Sequence, residues 1–261
     1  MLWRKGKESR VPERPPPEMS AAAREALRSY TPARIALERT GVSLATRPLL
    51  DFQLAHARAR DAVQAAMDVR MVCEELRRCG LETLALESRA QDRATYLRRP
   101  DLGRSLSAES AALLKPGEFD VAFVVADGLS AFAVERHASN LLQSLLPLLG
   151  EWRVAPVCVV ERGRVAVGDE IGEALHASLV VVLIGERPGL TSPDSLGAYI
   201  TAEPRRGRKD SERNCISNIR DEGLTHEAAA RRLHYYMNEA RRLRVTGLAI
   251  KDPAQDTAGL L

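Results

Sequence analysis

The strongest pattern in the chain is a set of three continuous apolar runs in its second half. They are Val121–Ala126 (VAFVVA), Val154–Val160 (VAPVCVV) and Leu179–Ile184 (LVVVLI). Each run is followed by a glycine-containing loop: Asp127-Gly128, Gly163, and Gly185-Glu186-Arg187-Pro188-Gly189. The stretches between them, Leu141–Leu149 and Ile171–Ala177, read as helix. Apolar runs without polar alternation are the mark of strands covered on both faces. Their alternation with helices predicts an α/β architecture around a parallel sheet. Leu81–Leu86 reads as one more strand. Thr225–Arg244 reads as a long helix, with Leu233 and Tyr236 on one face and Arg231, Arg232, Arg241 and Arg242 on another.

The first third of the chain has a different period. Ser20 is placed to cap a helix over Ala21–Tyr30, and Thr31 with Pro32 suggests a second helical start. Arg47–Met67 carries Leu50, Leu54, Ala57 and Val63 at helical spacing, and Met71–Arg78 reads as helix ended by Gly80. Ahead of these lies a basic segment with three consecutive prolines, Pro15 to Pro17. The expected organisation is a disordered tail over 1–19, a small all-helical domain over 20–80, an α/β domain over 81–251 and a C-terminal tail over 252–261.

Composition narrows the function. With 38 Lys and Arg against 35 Asp and Glu, the net charge of +3 is too small to mark a nucleic-acid binder. Five of the 38 basic residues are lysine, so 33 are arginine, the residue suited to buried or interfacial ion pairs. Aromatic residues are 4% of the chain, which leaves an aliphatic core. The four cysteines, Cys73, Cys79, Cys158 and Cys215, show no CxxC spacing, so neither a zinc site nor a disulfide scaffold is expected. No apolar run approaches membrane-spanning length, and the basic N-terminus has no apolar segment after it to make a secretory signal.

In open α/β sheets, ligands bind beyond the carboxyl ends of the strands. That places a site at Asp127–Ser130, Gly163–Val165 and Gly185–Gly189. No GxGxxG or GxxxxGK[ST] accompanies them. Asp127 reads either as a functional carboxylate or, more simply, as the cap of the following helix, and Ser130 carries the same ambiguity. His56, His137, His176, His226 and His234 are scattered without ligand spacing and read as solvated or hydrogen-bonded surface side chains. The arginine-rich stretch around Tyr96 reads as a solvated face or as a protein interface. Cys215, on composition alone, reads as a small buried hydrophobe. Unaided, the sequence supports an α/β ligand-binding module with no catalytic constellation.

Several stretches, in order, resemble the small (light) subunit of adenosylcobalamin-dependent ethanolamine ammonia-lyase. They are Ser88–Leu106 (SRAQDRATYLRRPDLGRSL), Val124–Ser130 (VVADGLS), Gly163–Glu173 (GRVAVGDEIGE), Ile184–Leu196 (IGERPGLTSPDSL) and Asn214–Arg220 (NCISNIR). The resemblance runs from about Ala22 to Asp252. It implies a Rossmann-like α/β part that binds cobalamin, with a helical part before it. It also implies a large subunit that carries the substrate site and the radical conversion of ethanolamine to acetaldehyde and ammonia. The two subunits would share the cofactor in a hetero-oligomer in the bacterial cytoplasm, with a microcompartment as one family setting. Residue by residue, the cobalamin contacts of the family fall on Val165, Glu186 and Cys215, and no catalytic or metal-ligating residue falls on this chain. The DxHxxG motif that displaces the nucleotide base in other cobalamin proteins is absent. The alternative from a different class is a free-standing Rossmann-like module for a nucleotide or other small molecule.

Overall fold

The computed structural model describes residues 19–31 and 33–251. The readings of residues 1–18, of Pro32 and of the C-terminal tail over 252–261 lie outside the described residues. The chain divides into two units, residues 1–51 and 52–261.

In the first unit, helix α1 (Ala21–Ser29) starts as expected at Ser20, whose side chain accepts the Ala23 N–H at 3.2 Å. The second helical start expected at Thr31 is not seen. Instead, Arg28 donates to the carbonyls of Ile35 and Ala36, and the chain forms a hairpin of β1 (Arg39–Thr40) and β2 (Ser43–Leu44). Gly41 sits at φ +62° in its turn, a conformation that suits glycine. The stretch 20–80 is therefore not all-helical. Helix α2 (Thr46–Gln64) leads the chain into the second unit.

The second unit is built on a six-stranded sheet. Its strands are β3 (Thr83–Glu87), β4 (Phe119–Ala126), β5 (Val157–Glu161), β6 (Ala177–Gly185), β7 (Leu196–Ala202) and β8 (Asn214–Ile219), in the spatial order β3-β5-β4-β6-β7-β8. The first four run parallel, as the apolar runs predict. The sheet as a whole is mixed, because β7 is antiparallel to β6 and β8 antiparallel to β7. This corrects the expected parallel sheet. Strand β8 hides Ile216 and Ile219 and exposes Cys215, Ser217 and Asn218, so one face is open, and an irregularity in the β7–β8 register, with Asn218 at φ +61°, breaks the strict alternation. Strand β5 begins at Val157 rather than Val154, since Pro156 has no N–H to give to the ladder.

Side chains from the sheet alternate between two layers. On one face Val121, Phe123 and Val125 of β4 meet helix α3 (Val69–Arg78), helix α6 (Ala131–Leu149) and helix α8 (His226–Leu243). Leu141, Leu142 and Leu145 of α6 are fully buried there. Each removes enough apolar surface from water to contribute roughly 1.5–3 kcal/mol. On the other face Ala122, Val124 and Ala126 meet helix α7 (Val167–Ala174). Two short helices, α4 (Arg93–Arg98) and α5 (Ala108–Ala111), lie in the β3–β4 connection. Tyr199 of β7 is half-buried on the α7 face, while Cys215 and Ser217 of β8 are exposed on it.

Candidate functional site

The loops that leave β4, β5 and β6 converge at the carboxyl edge of the parallel strands. Gly128, at φ +54°, packs against Gly185, and a Cβ on either would collide with backbone carbonyl oxygen of the other loop. Ser130, rather than Asp127, is the N-cap of α6, accepting the Ala133 N–H at 3.3 Å. It also donates to the Pro193 carbonyl at 2.8 Å. Asp127 has a different task. One carboxylate oxygen takes a hydrogen bond from Arg93 at 3.0 Å and the other takes the Gly163 N–H at 3.2 Å. Burial pushes the Asp127 carboxyl up to about 6, against the pull of the Arg93 guanidinium.

Tyr96 completes this support. It is fully buried, its hydroxyl donates to the Gly163 carbonyl at 2.9 Å, and its ring lies between the guanidiniums of Arg93 (5.0 Å) and Arg164 (4.3 Å). Tyr96 is thus no interface anchor, as one reading of its stretch had it. Together with Arg93 and Asp127 it fixes Gly163-Arg164-Val165 from beneath.

Above that support lies a two-lobed cleft. One lobe, of about 410 Å³, is bounded by Gly128 and Leu129, by Arg164 and Val165, by Glu186 and Arg187, and by Tyr199. The other, of about 600 Å³, runs from Arg164, Val165 and Tyr199 to Pro100, Asp101, Arg104 and Asp210. Val165 is the half-buried ridge between them.

Glu186 lies in the first lobe, but its carboxylate is already engaged. It accepts hydrogen bonds from the Ser195 hydroxyl, the Ser217 hydroxyl (2.6 Å) and the Asn218 N–H (3.1 Å), so it ties the end of β6 across to β8. Cys215 faces Tyr199 across the β7–β8 ladder. Its side chain is exposed rather than buried in the core, which corrects the compositional reading. Protein atoms crowding the sulfur, and the charge of Glu186, push its thiol up, and a hydrogen bond with Tyr199 acts the other way. The Tyr199 hydroxyl is itself held well above its ordinary value by burial.

The three sequence-selected residues therefore share one neighbourhood, the first lobe and the β7–β8 surface bordering it. A family model described as ethanolamine ammonia-lyase light chain (EutC) matches residues 21–251. The chain belongs to this family. It is 55% identical over 237 residues to the ethanolamine ammonia-lyase small subunit of Pseudomonas syringae pv. tomato, covering 88% of this chain and 83% of that one. The small subunits of Ralstonia nicotianae and Azotobacter vinelandii are each 55% identical, with 88% of each chain covered. The light-chain match spans every strand and every loop of the cleft.

The sequence selected the loops, Leu129 and Arg164 among them, but missed Tyr199 as a cleft residue. Tyr199 lies on a strand that the apolar pattern did not mark. The Pro100–Arg104 segment carries part of the resemblance, and nothing in its sequence marks it as a wall of the second lobe. Among the described residues, no helix is long and apolar enough to cross a membrane.

Proposed function

We propose that this light chain completes an adenosylcobalamin site against the large catalytic subunit of an ethanolamine ammonia-lyase. The observation that carries the reading is the open two-lobed cleft around Val165, in a chain of this family. The cleft suits an amphipathic cofactor. Leu129, Val165, Ile184 and the Tyr199 ring offer apolar surface, and Arg104, Arg164, Glu186 and Arg187 offer polar groups at its margin. A corrin ring edged by amide arms asks for this mixture. When bound, the cofactor supplies a weak cobalt–carbon bond whose homolysis starts the radical chemistry.

The chain's own residues bind, orient and shield. Val165 gives van der Waals surface between the lobes. Glu186 holds β8 in place and keeps part of its acceptor capacity for an amide N–H, since a carboxylate has about four lone-pair sites. Cys215 is a small side chain on the open β7–β8 face, where a bulky group would hold a ligand or partner away. The four parallel strands act as the Rossmann-like portion of the cobalamin-binding domain over 81–251. The exposed half of the α7 face is where a second subunit would close the site and exclude water.

The test is co-expression with an ethanolamine ammonia-lyase large subunit, followed by an acetaldehyde assay with ethanolamine and added adenosylcobalamin. Activity is expected only with both chains and the cofactor. A well-assembled complex without activity, or tight nucleotide binding by this chain alone, would replace the reading.

A further inference from the structure

On the α6 and α8 face of the sheet, away from the cobalamin cleft, three side chains distant in sequence come together. His137 of α6 is 3% exposed, so it is no surface histidine as its sequence context suggested. Its Nδ1 lies 3.1 Å from Nε2 of His226, the first residue of α8. The Asp221 carboxylate, from the loop between β8 and α8, lies with both histidines so that one ligand atom from each falls within 4.8 Å of the others. The other His137 nitrogen, Nε2, is buried with no hydrogen-bond partner. It is 3.9 Å from Oδ2 of Asp194, which Arg136 holds at 2.5 Å. A cavity of about 430 Å³, lined by Arg136, His137, Asn140, Asp194, Asp221 and Glu222, gives access.

We propose that His137, His226 and Asp221 form a binding site for a single divalent transition-metal ion of the zinc class. Two imidazoles and one carboxylate are the ligand set of zinc sites that keep a fourth position for water. Two nitrogens at zinc–nitrogen distances of about 2.0–2.1 Å in tetrahedral geometry stand about 3.3 Å apart, close to the separation seen here. With Nδ1 of His137 on the ion, Nε2 carries the proton and faces Asp194. That is the carboxylate–histidine–metal order in which an outer carboxylate fixes the tautomer. Calcium and magnesium would call for more oxygen ligands than this pocket supplies. The N-terminal end of α8 repels a cation, and the carboxylates of Asp221 and Asp194 offset it. The ion would clip the end of β8 and the start of α8 to α6, joining residues 84 and 89 positions apart along the chain.

The test uses the full-length protein, stripped with a chelator and titrated with zinc chloride by calorimetry. Cobalt chloride followed by visible absorption reports the geometry. One ion per chain is expected, with tetrahedral cobalt bands and a rise in Tm of roughly 5–10 °C at a hundredfold excess over Kd. His226→Ala should weaken zinc by at least about 100-fold, and Asp221→Asn and Asp194→Asn by about 10-fold each. Asp221 is exposed and His226 half-exposed, so these variants leave the core intact, which circular dichroism checks. His234→Ala, on the same helix, should bind like the wild type. Failure of the wild type to take up zinc at micromolar free metal overturns the proposal. So does uptake of undiminished affinity in His226→Ala or in Asp221→Asn.

Discussion

The buried hydroxyl of Tyr96 donates to the carbonyl of Gly163 at 2.9 Å, across 67 positions of sequence. The bond fixes the backbone two residues before Val165, so it acts on the ridge between the two lobes. Tyr96→Phe keeps the ring and its two guanidinium neighbours but leaves the carbonyl without this donor. The expected cost to folding is about 0.5–1.5 kcal/mol, read as a shift in urea midpoint. Adenosylcobalamin affinity in the two-subunit complex should fall several-fold. An unchanged affinity with the expected loss of stability would make Tyr96 a purely structural residue.

Asp127 gives a pH signature. Burial holds its carboxyl at about 6 in the folded protein against an ordinary 3.8 in the unfolded chain, so the folded state binds the proton more tightly. Its contribution to stability is therefore greatest below pH 4 and declines as the pH rises toward 6. The decline is about 3 kcal/mol, after which the contribution is flat. Above pH 6 the ionised carboxylate grips Arg93 and the Gly163 N–H. Urea unfolding of the wild type and of Asp127→Asn from pH 4 to 7.5 isolates the effect. The wild type should lose ground against the variant between pH 4 and 6, and no further above it. A difference that stays constant between pH 4 and 6 would show that Asp127 titrates as an ordinary carboxyl.

The positions of these two residues show what the sequence could and could not reveal. Strands buried on both faces, such as β4 and β6, announce themselves because every position must be apolar. β8 does not, because one of its faces is open and Ser217 and Asn218 break the apolar run, and β7, though buried almost throughout, is interrupted by Gly197, Tyr199 and Thr201. The hairpin over 39–44 is too short for any period to emerge. Asp127 stood out as a strand-end carboxylate, but its partner Arg93 is 34 residues earlier, in a stretch that reads as arginine-rich surface. Pairings of that kind exist only in the folded chain. The His137, His226 and Asp221 cluster is hidden for the same reason. Val165, Glu186 and Cys215 came instead from a resemblance, and the geometry that joins Glu186 to Ser217 has no counterpart in spacing.

Arg213 and Asp169 form a buried pair with two parallel hydrogen bonds, of 2.6 and 2.7 Å, and Thr201 accepts a third at 2.7 Å. The pair anchors α7 to the residue before β8, two positions from Cys215. Asp169→Asn leaves a buried guanidinium with half its compensation. The expected destabilisation is about 3–5 kcal/mol, read by chemical unfolding. The double variant Asp169→Leu with Arg213→Met should cost less than the sum of the single changes, because neither charge is then stranded. Additive losses would mean that the pair contributes nothing beyond its two separate environments.

Glu186 serves two ends that mutation separates. Glu186→Ala removes the acceptor of Ser195, Ser217 and Asn218 as well as a group at the cleft. Cobalamin affinity in the complex should fall at least tenfold with assembly intact. Ser217→Ala removes one of those ties and leaves the carboxylate. If Glu186 meets the cofactor itself, Ser217→Ala should change affinity by less than twofold. An equal loss in both variants would mean that Glu186 acts by holding β8 alone.

Cys215 is the exposed thiol among the four cysteines, since Cys73 and Cys158 are buried and Cys79 is half-buried. Exposure alone would make it the fastest to alkylate, but its raised pKa lowers the thiolate fraction at neutral pH, and the thiolate is the reacting species. Iodoacetamide should therefore label it more slowly than a free cysteine at pH 7, with the rate climbing above pH 9. Glu186→Gln removes the nearby negative charge and should accelerate labelling at pH 7. In the assembled complex, added adenosylcobalamin should slow the reaction at least tenfold, because Cys215 borders the cleft that the cofactor would fill. Peptide mapping of the modified cysteine gives the site. A labelling rate that the cofactor does not change would remove Cys215 from the cobalamin surface while leaving the rest of the cleft assignment standing.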